Sequence, residues 1–271
     1  MMGRRIRHVR VMYAVPLTLI VLLLIAYLFF SNNKTAESII AVLGVGVAGV
    51  GMILQYSQTQ KLNEGSFMME LNDQFITNPD MIKFEQQFEL YLLRYNAALD
   101  EKFDKLSANN SELKKEDVTL DAKEINALEL GLDLHRESEE CQQLINYLVY
   151  LKSLAVLIEQ GVIKNNVAFE MFSYRFFVAV NNPRIQQFEI IPYQDFYKSI
   201  YSLSEKWVKR MEWKHRNEKD RLLKEVPLYQ FRLTKSHKDN LDEFIKALEP
   251  IDEFRARMEP IIIKYKKDDD D

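Results

Sequence analysis

Two uncharged apolar stretches open the chain, and a helical alternation of apolar and polar positions fills most of the remainder. Val11–Phe30 carries no charge over twenty residues, and Ser38–Gln60 is a second uncharged run, apolar through Leu54. About twenty residues of helix cross a bilayer core of roughly 30 Å. The pattern therefore predicts a two-helix transmembrane hairpin with spans at about 11–30 and 38–56, inside an N-terminal segment 1–60. The first stretch is too long for the apolar region of a signal peptide and is followed by no A-x-A-like site, so it reads as an uncleaved anchor. Arg4, Arg5, Arg7 and Arg10 precede the first span, against one lysine in the loop 31–37. Positive residues stay cytoplasmic, which puts both termini on the cytoplasmic side and the loop outside, with the arginines near anionic lipid heads.

The second span holds Gly44, Gly46, Gly49 and Gly51, half of the eight glycines of the chain. Ala41, Gly44, Ala48 and Gly51 recur at helical spacing as one small-residue face. Such a face permits a close helix–helix crossing in lipid. The same face can be the seam of a homo-oligomer of about four copies, and such a seam can also surround a pore. Beyond the membrane, Phe67, Leu71 and Phe75 repeat at i, i+4, i+8, so 61–77 reads as a stalk with Gly65 as its hinge.

From 78 to 263 the periodicity is helical almost throughout, and the body reads as an all-α cytosolic domain. Asn78-Pro79 is a helix start, followed by Phe84, Phe88, Tyr91, Leu92, Tyr95 and Leu99 on one face. Residues 100–124 contain thirteen charged positions and read as a solvated loop. A short helix is expected over Ile125–Leu134, and a stronger one through Leu144, Leu148, Leu151, Ala155 and Ile158, stopped by Gly161. Val167–Val180 is apolar nearly all round and so central. After the Asn181-Asn182-Pro183 turn, Phe196, Ile200, Leu203, Trp207 and Met211 mark a long helix reaching about Glu225. Ser236 and Asp239 resemble a capping box for a last helix that Pro250 ends or kinks. Only Val226–Leu233 hints at a strand. The tail 264–271 ends in four aspartates that resemble part of an expression tag and carry no functional signal.

Composition narrows the function. The chain has 271 residues and a net charge of −4, which argues against a general nucleic-acid binder. Cys141 is the single cysteine, forbids an internal disulfide and reads as a buried, inert thiol. No phosphate loop, C-x-x-C pair or H-E-x-x-H helix is present, so neither an enzyme nor a cofactor is expected. His135, His215 and His237 lie beside charged residues and read as solvated, and Glu139-Glu140 as solvent-facing. One constellation stands out: Lys206–Lys224 holds eight Lys and Arg against three acids, together with Trp207 and Trp213, the only tryptophans. Trp207 points toward the core. Lys206, Lys209, Arg210, Trp213, Lys214 and Arg216 are the candidate ligand-binding set, because basic groups beside an exposed aromatic suit a nucleotide or a short oligonucleotide. The same helix also reads as a solvated surface laced with ion pairs such as Glu205–Lys209 and Lys214–Glu218.

The stretch Tyr147–Phe177, YLVYLKSLAVLIEQGVIKNNVAFEMFSYRFF, with the basic helix after the proline turn and two N-terminal spans, resembles a loose family of bacterial membrane proteins described as phage abortive-infection proteins. The resemblance implies an effector that depolarises the membrane under control of a cytosolic partner, often of the nucleotidyltransferase kind, and its nucleotide or DNA-oligomer product. The two-gene Hailong-type defence, with an effector held off by a DNA oligomer, is similar. No functional-residue motif comes with the resemblance. The alternative is a membrane-tethered scaffold or sensor that recruits a protein partner and conducts nothing.

Overall fold

A computed structural model describes Gln55, residues 65–73 and residues 75–268. The expected spans, Gln55 apart, and Ala41, Gly44, Ala48 and Gly51 lie outside the described residues. Those from Met68 onward belong to one compact all-helical unit, with no strand among them. Residues 68–73 and 75–77 are helical, and the main elements after them are α1 (Pro79–Ser107), α2 (Ala122–Asn126), α3 (Glu139–Glu159), α4 (Asn165–Val180), α5 (Lys198–Lys214), α6 (Lys219–Glu225), α7 (Lys238–Ala247) and α8 (Ile251–Asp268).

Local signals start and stop these helices as expected at several places. The Asn78 side chain accepts from Asp80 N at 2.9 Å with Pro79 at the first helical position, and Ser138 caps α3 by accepting from Cys141 N at 3.1 Å. Past the end of α3, Gly161 sits at φ 71, a left-handed conformation that costs glycine no Cβ clash. The Asn182 side chain accepts from Arg184 N and Ile185 N and opens a short turn, Pro183–Ile185, that runs into a π-helical turn at Gln186–Ile190.

Helices α1, α3, α4 and α5 form the core, with α3 packed on α1, α4 and α5, and α4 on α1 and α5. Two aromatic nests hold it. Tyr147 lies edge-on to Phe75, Phe84 and Phe88 at centroid distances of 5.6–6.1 Å. Trp207 meets Phe169, Phe176 and Phe177 at 5.0–6.3 Å, and its indole N–H donates to Asn165 Oδ1 at 2.8 Å. Among the described residues α3 alone is long and apolar enough to cross a membrane. Here one face of it, with Leu144, Tyr147, Leu148, Leu151, Leu154, Ala155 and Ile158, is buried in the core.

Several expectations are corrected. Of the expected stalk, residues 68–73 and 75–77 pack into the domain: Met68 and Phe75 are buried, Tyr150 Oη donates to the Leu71 carbonyl, and Arg175 Nη1 donates to Asn72 Oδ1. Gly65 is helical, and a Cβ added there would meet nothing within 4 Å. The expected loop 100–124 is helical to Ser107, where Glu101 and Lys105 pair one turn apart at 2.6 Å. It ends in a true capping box, Asp121 with Glu124, and buries Val118 and Leu120. Helix α2 stops at Asn126, and Leu128, Leu130, Leu132 and Leu134 then alternate into the core from irregular chain.

The expected single helix to Glu225 breaks at 215–218 into α5 and α6. Phe196 is exposed, with Lys152 Nζ 3.2 Å from its ring centroid. No strand forms at Val226–Leu233, because Pro227 lacks a donor and Leu228 takes φ 53. Ser236 does not cap α7; its hydroxyl pairs with Thr234 Oγ1 at 3.2 Å, and a 3₁₀ turn, Lys235–His237, leads into the helix. Pro250 ends α7 and a further helix comes after it, which continues through the expected tail as far as Asp268, with Pro260 inside it.

Candidate anion-binding cleft

Helix α5 presents Lys198, Tyr201, Ser202, Glu205, Lys206 and Lys209 at i, i+3, i+4, i+7, i+8 and i+11, one continuous face. Opposite it runs Leu233–Lys235 and the first residue of α7, Lys238. Between them lies a cleft of about 510 Å³, lined by these residues. Five lysines thus meet one glutamate in a chain of net charge −4. Lys209 pairs with Glu205 at 2.6 Å. Among the described residues Lys198, Lys206, Lys235 and Lys238 have no ion-pair partner. Thr234 is a buried residue of the lining, and Tyr201 packs against the core. Burial and then the nearby Asp242 push the Tyr201 phenol above its ordinary range, so it stays a neutral hydrogen-bonding group.

The sequence-predicted site divides. Lys206 and Lys209 line the cleft; the other four residues do not. Arg210 lies over the Phe169 ring at 4.0 Å and reaches Glu170 at 3.1 Å, both on α4. Lys214 pairs with Glu225 of α6 at 2.7 Å, replacing the expected Glu218 partner. Trp213 is 77% exposed beyond the end of the cleft face, and Arg216 is exposed in the break between α5 and α6. Lys198, Lys235 and Lys238 escaped the sequence reading. The signal for Lys198 was its i, i+4, i+8 relation to Ser202 and Lys206; the other two arrive through the tertiary fold.

Three further polar clusters are structural in form. Arg184 is fully buried. Its Nη2 donates to Asn126 Oδ1 at 2.8 Å and Glu249 Oε1 at 3.1 Å, its Nη1 donates to Gln187 Oε1 and the Glu249 carbonyl, and its plane lies 4.0 Å from the Phe254 centroid. Arg257 Nη2 donates to Glu249 Oε1 at 2.8 Å and to the Asn126 carbonyl. Burial lowers the Arg184 pKa to about 10, against the opposing pull of Glu249, so it remains charged at neutral pH.

Second, Glu189 is buried, pairs with Arg136 at 2.9 Å and accepts from Tyr197 Oη at 3.0 Å. Third, His215, expected to be solvated, is buried where the chain turns between α5 and α6, with Nε2 3.0 Å from Glu225 Oε2. The hydrogen bond from Lys214 leads in holding the Glu225 carboxyl down at about 2. Glu140 is also less open than expected, since it pairs with Lys83 at 2.7 Å and accepts from Asp133 N. Cys141 is buried as expected, and burial raises its thiol to about 11. Among the described residues no three His, Cys, Asp or Glu side chains gather as metal ligands.

Compared with known proteins, the chain matches no family model, no curated protein and no solved structure.

Proposed function

We propose that this chain is the membrane effector of an abortive-infection defence. Two N-terminal spans anchor it in the inner membrane, about four copies assemble through the Ala41–Gly51 face, and the open assembly depolarises the membrane. The helical domain sets the state of the spans by taking an anionic ligand, a nucleotide or short oligonucleotide made by a nucleotidyltransferase-type partner. The observation that carries the ligand part is the cleft: four lysines without ion-pair partners among the described residues line it from two segments, and an anion bound there supplies the opposite charge. A ligand shifts the spans only if it binds one state of the domain more tightly than the other.

The test is expression without neighbouring genes, with a potential-sensitive dye. Depolarisation should precede lysis, and a Gly44→Leu, Gly51→Leu variant should be harmless at equal membrane abundance. A chain that inserts well and stays innocuous at rest and during infection would end this reading. The exposed Trp213, outside the cleft, favours a second one in that case: a membrane-tethered scaffold with Trp213 as an anchor for a protein partner.

A further inference from the structure

We infer that the cleft recognises the phosphate chain of a compact polyphosphate ligand and does not read a base. This rests on the anionic-ligand reading above and narrows it. Lysine ammonium groups are compact point charges with three donors each, suited to many phosphate geometries. Four of the five here have no partner among the described residues, and they approach from two separate segments, Lys198 and Lys206 on α5, Lys235 and Lys238 at the start of α7. A chain of phosphates answers several such charges at once; a lone carboxylate does not. The hydroxyls of Ser202 and Thr234 add neutral polar groups to the lining.

Lys198 begins α5 and Lys238 begins α7, so the lining gathers at two helix starts. The first turn of α5 holds no acid, whereas Asp239 in that of α7 works against an anion, as do Glu205 in the lining and Asp242 near Tyr201.

Recognition of a base by stacking uses an open aromatic face, and the lining offers none. Tyr201 is its one aromatic residue and packs against the core, while the exposed indole, Trp213, lies outside. The volume falls in the range of about 300–1,000 Å³ typical of small-ligand pockets.

Calorimetry on the full-length protein in detergent, with tripolyphosphate, ATP, adenosine and short single-stranded DNA as probes, decides the matter. Tripolyphosphate and ATP should bind with affinities within about threefold of each other, weaken with added salt and compete, while adenosine should not bind. A variant with Lys198, Lys206, Lys235 and Lys238 all changed to Gln should keep its melting temperature and lose tripolyphosphate affinity by at least about tenfold. If ATP or DNA binds and tripolyphosphate neither binds nor competes, base-independent recognition is wrong while the anionic-ligand reading stands. If no phosphate-bearing probe binds, or the quadruple variant binds them equally, the cleft is not the ligand site and both readings of it fall.

Discussion

Arg184 and the cleft lysines are cations of one helical domain, used in opposite ways. Arg184 is withdrawn from water and donates from both terminal nitrogens to Gln187, Asn126 and Glu249. Lys198, Lys206, Lys235 and Lys238 have no ion-pair partner among the described residues, yet they face one cavity. The guanidinium is a planar fork that several acceptors satisfy together, whereas the ammonium is a strongly hydrated point charge that holds water until an anion replaces it. The difference teaches where to look for ligands: a cation whose acceptors all come from its own fold is a tie, and a group of cations left without acceptors is a candidate receptor.

The largest effect should come from breaking the tie. Arg184→Ala strips partners from Asn126, Gln187 and the Glu249 carbonyl and leaves a cavity beside Phe254. The expected loss is about 3 kcal/mol, the low end for losing one partner of a buried ion pair, because Arg257 still neutralises Glu249. Chemical denaturation of the full chain followed by circular dichroism measures it. Arg184→Lys should recover little, since one ammonium cannot reach every acceptor of the fork. An unfolding midpoint unchanged in Arg184→Ala would show that the cluster ties nothing.

The candidate cleft should respond in the opposite direction. Tripolyphosphate at about a hundred times its dissociation constant should stabilise the wild-type chain by about 2.7 kcal/mol, as any ligand of the folded state does. The quadruple Lys→Gln variant should melt no lower than wild type without ligand, because none of the four makes an ion pair among the described residues, and should gain nothing from tripolyphosphate. A variant that melts far below wild type would mean the lysines are ties after all.

Between these extremes sits Glu225, which holds Lys214 and His215 where α5 breaks to α6. Its carboxyl is depressed from 4.5 to about 2. A depressed carboxylate contributes stability above its unfolded pKa and loses it as pH falls through the folded value. The gap in stability between wild type and Glu225→Gln should therefore close from about pH 5 to about pH 2. A gap that stays constant across that window would deny Glu225 its charged role.

Much of the scaffold was legible because its signals are local. The Asn78-Pro79 start, the Gly161 stop, the Asn181-Asn182-Pro183 turn and the all-round apolar α4 each act within a few residues. The Asp121–Glu124 box was equally local, but the surrounding charge made 100–124 look like loop. Charge density was the wrong measure there, since Glu101 and Lys105 pair along the helix. It misled again at the site. Lys206 and Lys209 were found, yet the fate of Arg210 and Lys214 depends on Glu170 of α4 and Glu225 of α6. Lys235 and Lys238 reach the cleft from beyond the left-handed turn at Leu228, which no periodicity reports. Linear composition counts cations; only the fold says which ones already have partners.

The smallest expected effect is the sharpest test of that distinction. Trp213 belonged to the sequence-predicted set, and at 77% exposure it is the most accessible large apolar side chain described. It lies outside the cleft lining and contributes no buried surface to the core. Trp213→Ala should change unfolding stability by no more than about 0.5 kcal/mol, as surface substitutions do. The binding of tripolyphosphate and of ATP should be unchanged. Trp207 then becomes the only tryptophan, and because it is fully buried its emission should be blue-shifted and should report the core alone. If ATP or single-stranded DNA instead binds the variant more weakly by the roughly 1–3 kcal/mol that a stacked base contributes, the ligand extends beyond the cleft onto the indole. The site would then join the lysine face to the end of α5, and exposure of an aromatic would count alongside unpartnered charge.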